Sequence, residues 1–81
     1  MNVRVRLFAG AKQAFGCDSI EVELPDGATI GRLRRRLADE MPELRQVLQR
    51  AMFAVDRQYA ADTAEVSPDA EIACIPPVSG G

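Results

Sequence analysis

The sequence contains no histidine, a single lysine, Lys12, and only two cysteines, Cys17 and Cys74. The first absence excludes a His-based triad, a His-ligated metal site and an imidazole acid or base working near neutrality. The two cysteines lie far apart without CxxC spacing, which argues against a zinc knuckle or a redox dithiol, and they are too few for a disulfide framework. Cys74 reads as a small buried hydrophobe, and Cys17, beside Gly16 in a loop, as exposed. No apolar run approaches a membrane span, and Met1 leads into alternating Arg and Val rather than a signal sequence, so no membrane association and a cytoplasmic location are expected. Neither charge dominates: ten basic residues stand against twelve acidic ones, which supplies no electrostatic drive toward nucleic acid. There is no P-loop or glycine-rich phosphate cradle either, so neither a bound cofactor nor a metal is expected.

What the chain does have is 81 residues, 47% of them apolar, enough for one small domain and too few for a deep substrate cavity. Residues 2 to 9 alternate strictly, with Val3, Val5 and Leu7 on one side and Asn2, Arg4, Arg6 and Phe8 on the other, which predicts a half-buried strand. Gly10 to Gly16 reads as a connection with one helical turn. Ile20, Val22 and Leu24 repeat the alternation over residues 19 to 24, up to the turn signal Pro25-Asp26-Gly27. Thr29 then serves as an N-cap, and Ile30, Leu33, Leu37 and Met41 recur at helical spacing until Pro42. Leu44, Val47, Leu48 and Ala51 continue that rhythm through a short second segment. A third strand is predicted over 52 to 56, and a polar irregular stretch from Arg57 to Ala70. The last strand runs from Glu71 to Ile75, with Ile72 and Cys74 inward and Ala73 and Ile75 outward, and is stopped by Pro76 and Pro77. The economical arrangement is an α+β fold, a mixed sheet packed on one main helix. Its element order is that of a β-grasp, the ubiquitin-like architecture, with the first and last strands parallel neighbours. The domain is expected over residues 1–75, followed by a flexible Gly-Gly tail over 76–81.

That tail, Pro76-Pro77-Val78-Ser79-Gly80-Gly81, carries the chemistry. Two prolines stiffen the exit from the sheet, and the last residues lack side chains that would block a narrow channel. Fully extended at about 3.3 Å per residue, the six reach roughly 20 Å past the strand. They can deliver a carboxylate into the active site of another protein. A free carboxylate is a poor electrophile, and nothing in this sequence can activate it, so a partner must do so.

LFAGAKQAFG, VELPDGATIGRL, MPEL, FAVDRQY and IPPVSGG together resemble the small, sulfur-carrying subunit of molybdopterin synthase, the MoaD family. The resemblance implies that Gly81, supported by Gly80, is adenylated with ATP by a ubiquitin-activating-type, MoeB-like adenylyltransferase. The adenylate would then be converted to a thiocarboxylate by a sulfur donor such as a cysteine desulfurase or rhodanese. It further implies insertion into a MoaE-like large subunit and donation of sulfur to cyclic pyranopterin monophosphate, forming the molybdopterin dithiolene. ThiS-like carriers for thiamine, tRNA thiolation or cysteine synthesis, and ubiquitin-like protein modifiers, share much of this pattern.

By strand parity Phe8 and Ile75 fall on the outer sheet face near the tail exit, where Met52 or Ala54 extends an apolar patch. Together with Pro76, Pro77, Val78 and Ser79 they are the predicted partner-binding residues. Arg32, Arg34, Arg35 and Arg36 read as a solvated helix face, Arg35 near Asp39 and Arg36 near Glu40. Basic residues early in the helix and acidic ones late oppose the helix dipole, at a cost of a few tenths of a kcal/mol.

Overall fold

Every second residue of the first strand is buried, and that alternation sets the layout. A computed structural model of the protein describes residues 1–77. Strand β1 (Asn2–Leu7) buries Val3, Val5 and Leu7 and exposes the residues between them. It ends one residue before Phe8, where Ala9 takes a φ of 52° and turns the chain into helix α1 (Ala9–Phe15). The single turn predicted here is thus a helix of seven residues. Gly16, at φ 75°, closes it in the left-handed conformation and donates its N–H to the Lys12 carbonyl at 2.9 Å, which a side chain at that position would strain.

Strand β2 (Ser19–Glu23) pairs antiparallel with β1, Val3 opposite Val22 and Val5 opposite Ile20. The Pro25-Asp26-Gly27 turn leads to helix α2 (Ile30–Glu40). Thr29 is its N-cap as predicted, its Oγ1 accepting from the Arg32 N–H at 3.3 Å. Ile30, Leu33 and Leu37 are fully buried against the sheet. Pro42 opens a single 3-10 turn, Pro42–Leu44, and helix α3 (Arg45–Arg50) follows with Leu48 buried.

Strand β3 (Met52–Val55) and strand β4 (Gln58–Ala60) form a hairpin, and strand β5 (Ile72–Ile75) completes the sheet. The sheet order is β2-β1-β5-β3-β4. As anticipated, β1 and β5 are parallel neighbours, Val5 beside Ile72 and Leu7 beside Cys74. β5 is also bonded to β3 antiparallel, Phe53 opposite Cys74 and Met52 opposite Ile75. The core is one cluster in which Phe53, Ile30, Leu33, Leu37, Leu48 and Ile72 are its largest wholly buried side chains.

Two expectations need correction. The stretch from Arg57 to Ala70 is not wholly irregular. It begins with β4, and its later part pairs Glu65 with Thr29 and supplies the carbonyls of Ala64 and Asp62 to the Ile30 and Gly31 N–H groups, both at 2.9 Å. Those bonds satisfy donors that the first turn of a helix leaves unpaired. Gly31 makes the approach possible, since a Cβ there would lie 3.3 Å from the Asp62 carbonyl oxygen.

The second correction concerns the arginines, which do not form one uniform solvated face. Arg34 folds inward. Its Nη1 donates to the carbonyls of Leu48 at 2.6 Å and Ala51 at 2.7 Å, its Nη2 meets Asp62 at 2.8 Å, and its guanidinium lies 4.9 Å from the centre of the Phe53 ring. One residue thereby ties α2 to the end of α3, to β3 and to the segment after β4, joining the Ala51 N–H (3.3 Å) on the Leu48 carbonyl and reaching the Ala51 carbonyl just past α3. Arg36 pairs with Glu40 at 3.4 Å. The Arg35–Asp39 pairing forms no ion pair among the described residues.

Candidate functional site

Because β1 and β5 run parallel and in register, their ends coincide. Phe8 follows Leu7, and Ile75 follows Cys74, so the two side chains on the outer face stand together where the chain leaves the sheet. Phe8 caps α1 rather than extending β1, but its backbone is still extended (φ −129°, ψ 155°), and the outward direction read from parity is kept. The two line one shallow depression of about 360 Å³ with Ala54, Ala73 and Tyr59, rimmed by Arg6, Arg57 and Glu71.

Register explains the rest of the lining. Ala73 lies opposite Ala54, and Ala54 opposite Tyr59, so three neighbouring strands contribute small or aromatic residues to one surface. Met52, opposite Ile75, faces the same way and widens the apolar area, as the sequence suggested. Among the described residues, Phe8, Met52 and Tyr59 are the large hydrophobic residues that remain exposed, at 40%, 50% and 69%. A concentration of that kind on one face is what distinguishes a docking surface from scattered exposed residues. Tyr59 is the member that sequence reasoning missed. Its signal was an aromatic residue in a polar stretch, which becomes legible only once β4 is recognised.

The rim is fixed by polar contacts. Arg6 lies 5.6 Å from the Phe8 ring centre and pairs with Glu71 at 3.4 Å. Asp56 clamps the hairpin to the start of β5: its N–H donates to the Glu71 carbonyl at 2.8 Å, and its Oδ1 accepts from the Glu71 N–H at 2.9 Å. Asp56 and Arg57 both adopt positive φ, 50° and 71°, which matches the tight hairpin between β3 and β4.

Beyond Ile75, Pro76 is buried and Pro77 exposed. The predicted Val78, Ser79, Gly80 and Gly81 lie outside the described residues. Below the depression Cys74 is fully buried, and burial pushes its thiol up to about 11. At neutral pH it is therefore protonated and inert. Cys17 is exposed, on the loop after α1. Beside it, the hydrogen bond from Lys12, at 2.8 Å, and the lysine's charge hold the Asp18 carboxyl below its ordinary value. Among the described residues no group of three or more His, Cys, Asp or Glu is placed to hold a metal, and no helix is long and apolar enough to cross a membrane. What the face offers is apolar area inside a charged rim, suited to holding another protein.

Sheet order β2-β1-β5-β3-β4, parallel first and last strands and a helix across one face define a ubiquitin-like β-grasp protein. The ThiS family pattern matches residues 5–81, and the chain belongs to that family. It is 32% identical over 81 residues to the molybdopterin synthase sulfur carrier subunit of Arabidopsis thaliana, covering all of this chain and 84% of the relative. To the subunit of the same name in Dictyostelium discoideum it is 37% identical over 81 residues, covering 96% of this chain and 94% of the relative. Among solved structures, SAMP1 from Haloferax volcanii superposes with a TM-score of 0.83 at 25% identity over the whole of both chains. A chain in the complex of subunits 1 and 2 of molybdopterin-converting factor from Helicobacter pylori 26695 shares the fold, with a TM-score of 0.67 at 22% identity over the whole of both chains.

Proposed function

We propose that this chain is the sulfur carrier subunit of a molybdopterin synthase. The observation that carries the reading is 37% identity over nearly the full length to a subunit of that name. In this reading the Gly81 carboxylate attacks the α-phosphate of ATP on a MoeB-like activating enzyme, releasing pyrophosphate. The terminal sulfur of a persulfide on the donor protein then attacks the Gly81 carbonyl and displaces AMP, giving an acyl disulfide. A thiol attacks the donor's cysteine sulfur in that S–S bond, which frees the thiocarboxylate and leaves a disulfide on the donor side. The carrier next docks on a MoaE-like large subunit through the Phe8–Ile75 face, with Pro76 to Gly80 leading the sulfur into the partner's active site, and the whole cycle runs in the cytoplasm. The geometry supports this division of labour: β5 is gripped on both edges and ends beside the apolar depression. A partner seated on Phe8 and Ile75 is thus placed beside the emerging chain.

Intact mass after incubation with the activating enzyme, ATP and a sulfur donor tests the chemistry. The expected product is heavier by the exchange of one oxygen for one sulfur, and deletion of Gly81 abolishes it. Lysine-linked adducts without that exchange would identify a protein modifier instead. The ThiS family pattern favours a second reading, a carrier for thiamine, thiolated tRNA or cysteine synthesis. Restoration of molybdoenzyme activity in a strain lacking its synthase small subunit separates the two. Phe8→Asp is expected to weaken binding to the large subunit with the fold intact; undiminished binding would reject the docking face.

A further inference from the structure

Of the four arginines of α2, the fold uses two: Arg34 in its inward network and Arg36 with Glu40. Arg32 and Arg35 are exposed, as is Arg45 at the start of α3, and none of the three forms an ion pair among the described residues. All three line one groove of about 840 Å³ that runs between the turn after β2, α2 and α3. The small side chain of Ala38 on α2 leaves the space. Backbone donors at the start of α2 contribute nothing, because Ala64, Asp62 and Thr29 already occupy them. The positive charge of the groove therefore comes from side chains, and it lies on the helical side of the sheet, opposite the face that carries Phe8 and Ile75.

We propose that this groove is a second docking site, which takes an acidic segment of a partner polypeptide while the outer sheet face is free to hold another protein. Three forked guanidiniums suit discrete carboxylates, and the small Ala38 leaves room for a small apolar side chain between them. The same walls disfavour nucleic acid. Asp62 is paired with Arg34, and Asp26 and Asp39 divide the remaining basic surface into separate cationic spots, which suit spaced carboxylates better than a continuous phosphate chain; the lining also has no aromatic residue on which bases could stack.

Fluorescence polarisation of the full chain with a fluorescein-labelled peptide of alternating Glu and Ala tests the site. Binding is expected to weaken as salt rises, to fall about tenfold or more in the R32E/R35E variant and in R45E, and to be unchanged in Phe8→Asp. Thermal melts confirm that each variant is folded, and R45E keeps the test decisive if the double variant is not. Absence of binding overturns the proposal, as does equal binding by the folded Arg variants or equal binding of a Lys-Ala control peptide. A labelled oligothymidylate that binds as tightly as the acidic peptide would make the groove a nucleic-acid site. Loss of peptide binding in Phe8→Asp would show that the two faces are not independent.

Discussion

Replacing Arg34 by methionine isolates the contribution of one side chain to the joint between α2, α3 and β3. The substitution keeps an apolar stem of similar length and removes the fork. The carbonyls of Leu48 and Ala51, held at 2.6 and 2.7 Å, lose a charged donor in partly buried surroundings, at about 1 kcal/mol or more each. Loss of the cation from the Phe53 ring adds about 1 kcal/mol. The Asp62 contact adds less than about 1 kcal/mol, because that carboxylate is 57% exposed. Against these stands a small gain: the Arg34 Nε is buried without a partner, and methionine removes it. The expected net loss is about 2–4 kcal/mol, from a total that for a chain of this length is about 4–12 kcal/mol. Urea unfolding followed by circular dichroism should show a lower midpoint with an unchanged m-value, and the melting temperature should fall by about 10–25 °C. Arg34→Lys, which retains the charge but not the fork, should fall in between. Asp62→Asn should lose less than about 1 kcal/mol. A loss below about 0.5 kcal/mol for R34M, or one for D62N as large as that for R34M, would refute the assignment of the stability to carbonyl capping.

The remaining predictions concern the cysteines, one acidic contact and a cap. Iodoacetamide should modify Cys17 in the native protein and Cys74 only after unfolding, read by peptide mass. The Cys74 thiol titrates higher folded than unfolded, so its contribution is full below the ordinary thiol value of 9.0. That contribution is lost as pH rises toward about 11, and the alkaline decline should be shallower in Cys74→Ala. Asp18 shifts the other way. Its contact with Lys12 stabilises above the ordinary carboxylate value and is lost as pH falls through the lower folded one, so NMR titration should place Asp18 below 3.8 and K12M should return it there. Thr29→Ala should cost about 1 kcal/mol of stability in urea unfolding by removing the N-cap of α2.

How far the sequence could be read depended on the length and regularity of each element. The strict alternation of β1 and β2, the two inward residues of β5 and the helical stripe of α2 gave the fold class and the parallel pairing of the terminal strands. β4 was hidden because it is three residues long and follows a hairpin turn made by Asp56 and Arg57, both at positive φ without glycine. The usual Asn-Gly or Asp-Gly signal is therefore missing. α1 was read as a single turn because only Ala11 of its seven residues is buried, which leaves no stripe from which its length could be judged. Arg34 was misread on its charge, although it stands four residues after Ile30 and three before Leu37, on the apolar stripe itself. The apolar face at Phe8 and Ile75 was legible from parity alone, whereas Tyr59 joined it only through a pairing that no local pattern announces.

The bonding of β5 on both edges has a mechanical meaning as well. Force applied at Pro77 along the axis of β5 would load the hydrogen bonds to β1 and β3 together in shear instead of opening them one after another like a zip. The central strand therefore acts as an anchor bolt: force applied at the outgoing chain is spread over the whole sheet, and the domain can be hauled or held by its end without unravelling from it.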